Sequence, residues 1–298
     1  MKFHITHTTR YNYSQSVSLC HSEARLSPRG CANQQCLSSR LQIAPEPADY
    51  RERLDFFGNR VAYFAVQRPH TQLTVTAVSE VEINPAIKLP NQNETVTWEN
   101  LSAQLHNIGP LKTSTPAAML EARLYSLDSE MAASSADLRN YASASFKPGL
   151  SIAEVALNLT QRIYRDFNYD PSFTTIATPL ATVLAHKRGV CQDFAHLAIA
   201  CFRSFGLPAR YVSGYIETEP PPGQVKLAGS DASHAWFSVF IPGTGWLDFD
   251  PTNNCQAGEQ HVTLAWGRDY SDVTPLKGLA VGGSKHQVSV SVDVVRKT

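Results

Sequence analysis

The stretch from residue 189 to residue 210 constrains the fold of this chain more than any other part of the sequence. It reads GVCQDFAHLAIACFRSFGLPAR, and its apolar residues recur at the three- and four-residue spacing of one helix face: Phe194, Leu197, Ala198, Cys201 and Phe205. The predicted helix begins at or just before Cys191 and ends at Gly206, because Leu207-Pro208 is a normal helix stop. The fold is therefore expected to contain a core-packed helix with a cysteine at its start.

The segments on either side of this helix change between helical and extended patterns. Residues 116–145 are rich in Ala, Leu, Glu and Ser, which predicts helix. A capping box at residues 151–154 (SIAE) opens a helix running to about Phe167, and Pro179 opens a shorter one. After the buried helix, strands are predicted at 209–216, 235–241 and 246–250, and the proline-rich stretch 217–231 is predicted to be a loop at the rim of a cleft.

The first hundred residues show the period-two alternation of half-buried strands. The clearest run has apolar residues on one face of a strand: Leu73, Val75, Ala77, Val81 and Ile83. Stretches rich in Pro, Asn and Gly separate such runs, which predicts an N-terminal β-sandwich or barrel-like domain. A last alternating run, at residues 288–294, predicts a C-terminal strand that returns to this β structure. The fold class is therefore α+β, with domains expected at residues 1–100, 101–275 and 276–298.

The bulk composition is that of a globular protein and argues against several functions. Of 298 residues, 43% are hydrophobic and 17% are charged, and Lys plus Arg equal Asp plus Glu at 26 each. A formal net charge of zero gives no reason to expect nucleic acid or a membrane as a partner. The chain starts without an apolar signal segment and has no apolar run of membrane-spanning length, so a cytoplasmic location is expected. The cysteines are then expected to be thiols.

Three residues in the second half of the chain carry groups suited to nucleophilic catalysis. Cys191 lies at the helix start, where unpaired backbone N–H groups stabilise negative charge on its sulfur and can donate to an oxyanion. His234 begins the strand HAWFSVF and is the expected base, and Asp250 ends the next strand and is expected to orient the imidazole. Cys, His and Asp follow one another in the order of papain-like enzymes. Metals and cofactors are not expected, since Cys–His chemistry needs none.

The register of the two strands predicted at 235–241 and 246–250 decides whether His234 and Asp250 can meet. With Ile241 opposite Gly245 across the turn, the two side chains lie on one face as diagonal neighbours. A register shifted by one residue would send them to opposite faces of the sheet. Asp248 shares the face of Asp250 and is the alternative partner of the imidazole. Asp250, which precedes Pro-Thr, can also be interpreted as a carboxylate that caps a turn.

The segments that carry these residues resemble the motifs of a known family. GVCQDF at 189–194, SHAW at 233–236, WLDFDPT at 246–252 and the connecting LPARYVSGY at 207–215 resemble the bacterial transglutaminase-like family. The β-rich first hundred residues resemble the N-terminal domain of its bacterial members, so the resemblance spans nearly the whole chain. It implies a papain-like transglutaminase core, in which the helix bearing the cysteine packs on an antiparallel sheet. It also places Cys191, His234 and Asp250 at the triad positions.

The resemblance implies thiol-dependent acyl transfer on peptide or protein amides through a thioester. Hydrolysis, as by a cysteine peptidase or amidase, is the favoured outcome, and a protein-glutamine transglutaminase would use the same triad with an amine as acceptor. A non-catalytic peptide-binding module is the alternative of another class. A thiol redox sensor is disfavoured, because no resolving cysteine lies nearby in sequence. The expected partner is a peptide or protein substrate, and the sequence makes no prediction for the oligomeric state or for the role of the β domain.

Overall fold

The computed structural model describes residues 1–85, 89, 96–106, 117–218 and 233–297. The strands are β1 Lys2–Ala24, β2 Gln34–Ala44, β3 Asp49–Leu54, β4 Arg60–Val66, β5 His70–Ile83, β6 Asn168–Tyr169, β7 Arg188–Gly189, β8 Ala209–Ile216, β9 Ser233–Ile241, β10 Gly245–Asp250, β11 Cys255–Gln256, β12 His261–Gly267, β13 Leu276–Gly282 and β14 His286–Lys297. The helices are α1 Trp98–His106, α2 Ala117–Leu124, α3 Ala136–Ala142, α4 Ile152–Asp166, α5 Leu180–His186, α6 Cys191–Arg203 and α7 Tyr270–Val273.

The N-terminal strands form one sheet around the long strand β1. Its main path runs β2-β5-β1-β4-β3, and β13 and β14 also pair with β1. The alternation predicted for β5 is confirmed, since its apolar residues at every second position are buried. Side chains from β1, β4 and β5 meet in a core of their own, which includes Val17, Cys20, Ala24, Phe64, Val66, Leu73 and Val75. The strand predicted near the C-terminus is present as β14, and it lies antiparallel to β1.

A second, five-stranded antiparallel sheet packs against helix α6. Its order is β11-β10-β9-β8-β12, and α6 lies against β8 and β9. Helix α6 begins at Cys191, as predicted, but every residue from Asp193 to Arg203 is buried rather than one face alone. The cause is tertiary, because α3, α4 and α5 pack on the sides that the sheet leaves free. The predicted α+β class, with the helix bearing the cysteine on an antiparallel sheet, is confirmed.

The region predicted as helical at residues 116–145 is only partly helical. In the described portion, α2 and α3 are short and separated by turns. Asp128 accepts hydrogen bonds from the backbone N–H and the hydroxyl of Ser134, at 2.8 and 3.0 Å, and Ser135 then caps α3. Such side chains compete with the helical backbone for its hydrogen bonds, which interrupts the helix. The capping box of Ser151 and Glu154 is confirmed at the start of α4. No helix among the described residues has both the length and the apolar character needed to cross a membrane.

The strand register required by the sequence analysis is confirmed. Gly245 lies opposite Ile241, and the pairing continues without a shift to Phe249 opposite Phe237. Because side chains alternate along both strands, His234 and Asp250 project from the same face of the sheet. The turn between β9 and β10 thereby sets the relative position of the His234 and Asp250 side chains.

Gly214 of β8 lies directly opposite His234 and allows close packing there. A Cβ atom at this position would lie 2.1 Å from the carbonyl oxygen of Val262 and 2.4 Å from Cη2 of Trp236. We expect Gly214→Ala to lower the free energy of unfolding by about 3 kcal/mol, since neither the strand nor the buried ring can move away freely. Urea denaturation measures this, with Gly30→Ala as the control because its nearest contact is 3.9 Å. Equal stability of the two variants would contradict the prediction.

Candidate active site

Cys191 is positioned by a sharp entry of the chain into α6. Val190 is extended, with φ −119°, and the carboxylate of Asp193 accepts its N–H at 2.8 Å and the hydroxyl of Thr174 at 2.8 Å. A Cβ at residue 189 would lie 2.9 Å from Asp193, so only Gly189 fits this turn. Asp193 is thus a helix-start carboxylate, and Cys191 remains partly exposed at the helix N-terminus.

His234, near the start of β9, lies between a carboxylate and the thiol. Its Nε2 is 2.7 Å from Oδ2 of Asp250, and both side chains are buried. This leaves Nδ1 for the thiol of Cys191, which also hydrogen-bonds the ring. Burial by itself lowers the pKa of His234, but the hydrogen bonds to Asp250 and Cys191 outweigh burial and raise this pKa to about 10. The imidazole therefore holds a second proton near neutral pH.

Asp250 uses its two oxygens for different purposes. Oδ1 accepts the backbone N–H groups of Thr252 and Asn253, at 2.9 and 3.1 Å, and so caps the turn after β10. Oδ2 accepts from Nε2 of His234, from the Asn253 side chain at 2.6 Å and from Nε2 of His261 at 3.1 Å. Burial would raise the pKa of Asp250, but these donors hold it well below its usual range. The turn-capping and imidazole-orienting interpretations of Asp250 therefore both describe its contacts.

His261 and Asn253 contact Asp250 but were not identified from the sequence. Nδ1 of His261 accepts the backbone N–H of Gly258 at 3.2 Å, so the ring proton is on Nε2 and points to the carboxylate. His261 begins β12, and two strands separate β12 from β10 in the sheet, so no sequence spacing could have paired them. Asn253 follows Asp250 by three residues, a spacing typical of side chains in one turn. The closeness of Asn253 to Asp250 could therefore have been inferred from the sequence.

The alternative carboxylate, Asp248, has a different partner. Its Oδ2 accepts the indole N–H of Trp236 at 3.0 Å, on the same sheet face as Asp250. Trp236 is fully buried. The register thus assigns Asp250 to the imidazole of His234 and Asp248 to the indole.

The other five thiols lie in environments that disfavour ionisation. Burial is the largest cause that raises the pKa of Cys20, Cys31 and Cys36. It raises the pKa of Cys201 to about 12, and burial followed by the charge of Asp250 raises that of Cys255 to about 11. Cys255 lies opposite Asp250 in the β10–β11 pair, so it shares the neighbourhood of the carboxylate. It is therefore a matched comparison for Cys191.

His234, Asp250 and His261 also form a group with the residue types of a metal site. One ligand atom from each lies within 4.8 Å of the others. However, Nε2 of His234 is only 2.7 Å from the carboxylate oxygen, whereas ligands around a tetrahedral zinc ion are about 3.3 Å apart. The short separation is that of a hydrogen bond to a charged group. The arrangement fits a carboxylate that binds two imidazole protons better than it fits a metal centre.

The thiol and the imidazole open into one cleft of about 650 Å³. Its wall near Cys191 includes Gln192 of helix α6 and Tyr211 and Ser213 of strand β8. On the other side, the cleft is lined by residues of β1 and β14 of the N-terminal sheet. This volume is within the range of pockets that bind small molecules and peptide side chains. The loop predicted at 217–231 falls largely on residues 219–232, which lie outside the described residues.

Comparisons with known proteins identify the family of this chain. Residues 3–82 match the bacterial transglutaminase-like N-terminal region, and residues 139–251 match the transglutaminase-like superfamily. An uncharacterized Mycobacterium tuberculosis protein is 40% identical over 301 residues, which cover 99% of this chain and 92% of the relative. A protein-glutamine gamma-glutamyltransferase of Pseudomonas aeruginosa is 30% identical over 102 residues, covering 32% of this chain and 15% of that enzyme.

Among solved structures, a candidate cysteine protease from Cytophaga hutchinsonii has the same fold, with a TM-score of 0.74 and 22% identity over 100% of this chain and 92% of that chain. The two family regions occur in the same order as the β domain and the core. Similarity to the Mycobacterium tuberculosis protein extends through both regions and beyond them. This chain therefore belongs to the bacterial transglutaminase-like family.

Proposed function

We propose that this protein is a cysteine enzyme that cleaves amide bonds of peptides or proteins. Cys191 is the nucleophile and His234 is the acid–base group. Asp250 orients the imidazole and stabilises its protonated form. The single observation that carries the proposal is the buried 2.7 Å contact between His234 and Asp250, with the free edge of the ring at the thiol on the helix N-terminus. This geometry supplies a nucleophile, a proton acceptor and an orienting group in one cleft.

In the proposed resting state, the proton of the Cys191 thiol already lies on His234, and in the reaction the resulting thiolate sulfur attacks the amide carbonyl carbon. The carbonyl π electrons move to oxygen, where the N–H groups at the start of α6 can donate to the resulting anion. Collapse of this intermediate breaks the C–N bond, and the His234 imidazolium protonates the departing nitrogen. A thioester on Cys191 remains. The raised pKa of His234 supports this role, because the ring keeps its proton until the amine leaves.

Hydrolysis of the thioester is the preferred second half of the reaction. Water attacks the acyl carbon and gives a proton to His234. Collapse of the resulting tetrahedral intermediate breaks the C–S bond, so the Cys191 thiolate leaves and its pair with the His234 imidazolium is restored. Transfer to a primary amine is the second candidate, and the 102-residue similarity to a protein-glutamine gamma-glutamyltransferase favours it. The two outcomes differ only in the acceptor. Adding a fluorescent primary amine to a cleavage assay with casein separates them, because only transfer attaches the amine to the protein.

Selective alkylation of Cys191 tests the proposal without knowledge of the substrate. At pH 6.5, iodoacetamide is expected to modify Cys191 at least about tenfold faster than each of the other five thiols, because only Cys191 faces an imidazole and the pKa of the others is raised by burial. Mass spectrometry of the digested protein measures all six rates in one sample. His234→Gln is expected to remove most of this advantage.

Cys255 is the internal control for this experiment, since it lies opposite the same carboxylate but does not line the cleft that contains Cys191 and His234. If Cys191 reacts no faster than Cys255 or the partly exposed Cys36, the proposed chemistry is wrong. The alternative of a non-catalytic peptide-binding module would then replace it. That module also predicts that peptide binding persists unchanged in Cys191→Ala.

A further inference from the structure

One face of the N-terminal sheet runs from the protein core into the cleft. In the β1–β14 pair, Ile5 lies opposite Val294, His7 opposite Val292, Thr9 opposite Val290, Tyr11 opposite Val288 and Tyr13 opposite His286. Because alternate residues of a strand share a face, all of these side chains point to the same side of the sheet. The face is continuous along about 25 Å of strand, judged from the rise per residue.

The burial of this face changes abruptly along β14. Val294 and Val292 are 0% and 1% exposed, and they belong to the hydrophobic core that also contains residues of α4 and α6. Val290 and Val288, on the same face, are 53% and 44% exposed. The core therefore covers one end of the face and leaves two valines of the other end open. Both open valines line the cleft that contains Cys191 and His234.

The rest of the cleft continues this apolar surface. Ile176, which is 60% exposed and lies between β6 and α5, lines one side of the cleft. Tyr11 of β1 and Leu276 of β13 line the side formed by the N-terminal sheet. No Asp, Glu, Lys or Arg occurs among the described residues that line the cleft. Tyr11 and Leu276 also line a second cavity of about 450 Å³, so the surface extends towards Tyr13 and His286. Its composition would favour uncharged ligands with apolar side chains.

We propose that Val288, Val290, Tyr11 and Ile176 form a subsite for apolar side chains that flank the amide attacked by Cys191. The occupant is a segment of the peptide substrate, because the subsite is part of the same cleft as the thiol and whatever presents an amide to the sulfur must lie along it. This rests on the proposed function and extends it by giving the β domain a role in substrate selection. The strand length from Val290 to His286 would match about four residues of an extended peptide.

Affinity labelling of Cys191 tests the subsite with defined probes. The rates of alkylation by iodoacetyl-Leu-Leu-amide, iodoacetyl-Ser-Ser-amide and iodoacetamide are compared. The Leu-Leu probe is expected to react with Cys191 at least about tenfold faster than the Ser-Ser probe, since filling an apolar pocket commonly changes rates by this factor. In Val288→Ser/Val290→Ser, the ratio of these two rates is expected to fall to about one, while the rate with iodoacetamide is unchanged.

Val295→Ser is the matched control. Val295 lies on the same strand with 51% exposure but on the opposite face, and it does not line the cleft. This variant should keep the wild-type preference for the Leu-Leu probe. A ratio near one in the wild type, or a preference that survives in the double variant, overturns the subsite.

The subsite and the proposed chemistry fail in different ways. If iodoacetamide shows that Cys191 is unreactive, the proposed chemistry is wrong, and the subsite is then tested in Cys191→Ala by calorimetry with acetyl-Leu-Leu-Gln-Leu-Leu-amide and its Ser-substituted counterpart. Tighter binding of the Leu peptide that is lost in Val288→Ser/Val290→Ser supports the subsite by itself. Equal binding of both peptides overturns it.

Discussion

Replacing Cys191 with alanine is expected to abolish amide cleavage, with a loss of about 10⁴-fold or more. The substitution removes the atom that forms the thioester, and neither the imidazole nor the helix N-terminus can replace a nucleophile. A peptide library prepared from a proteome digest serves as substrate, and mass spectrometry detects new termini and glutamine side chains converted to glutamate. This readout covers both peptidase and amidase activity.

Cys255→Ala is the control for this prediction. Cys255 lies opposite Asp250, so its removal alters the same neighbourhood without touching the thiol–imidazole pair. The cleavage rate of Cys255→Ala is expected to stay within about twofold of wild type, because substitutions of partly exposed residues that do not contact the reacting atoms have small effects. Retained cleavage by Cys191→Ala, or an equal loss in both variants, would contradict the assignment of Cys191.

Asp250→Asn is expected to lower the rate of cleavage by about 10³- to 10⁴-fold, the range found when the orienting carboxylate of such a triad is neutralised. The asparagine fills the same space, but it removes the negative charge that raises the pKa of His234 against the lowering effect of burial. The pKa of His234, raised to about 10 in the wild type, is then expected to fall to its ordinary value of about 6.5 or below. NMR titration of ¹³C-labelled histidine measures this pKa directly, with His234→Gln to assign the signal.

The lost charge also changes how stability depends on pH. A raised histidine pKa contributes stability that is complete below about pH 6.5 and is lost as the pH rises through about 10. The lowered pKa of Asp250 contributes stability above about pH 4 that is lost as the pH falls further. The difference in free energy of unfolding between wild type and Asp250→Asn is therefore expected to be greatest between about pH 4 and 6.5 and to decline as the pH rises from about 6.5 to about 10.

Asp248→Asn is the matched control for Asp250→Asn. Asp248 is two residues away on the same sheet face, and its carboxylate binds the indole of Trp236 instead of an imidazole. An asparagine oxygen can still accept that hydrogen bond. We expect the pKa of His234 and the cleavage rate to stay close to wild type. If Asp248→Asn lowers them as much as Asp250→Asn does, the wrong carboxylate has been assigned to the imidazole.

The local parts of the site could be predicted because their causes lie within a few residues of sequence. The start of α6 at Cys191 follows from the glycine before it and the helical spacing of the apolar residues after it. The sequence showed which register of β9 and β10 the pairing of His234 with Asp250 requires, and the short turn permits it, but only the structure showed that Gly245 lies opposite Ile241. Helix content at residues 116–145 was predicted less well. Composition does not show that Asp128 accepts hydrogen bonds from Ser134 in the non-helical segment between α2 and α3.

The pairs that are distant in sequence could not be predicted. His261 contacts Asp250 although two strands separate β12 from β10, and this contact depends on how the whole sheet is shaped around Trp236. Periodicity reports which face of a strand a residue occupies, but it does not report the order of strands or the distance between their ends. The hydrogen bond from His261 to Oδ2 of Asp250 was therefore visible only in the folded chain.

The valines of β14 separate the two kinds of information most clearly. The sequence alone determined that Val288, Val290, Val292 and Val294 share one face, because alternation with polar residues is a property of the strand itself. Only the tertiary structure decided that two of them are buried in the core and two are open beside Cys191. The physical reason is that a side chain's face depends on its own backbone, whereas its burial depends on the elements that pack over it.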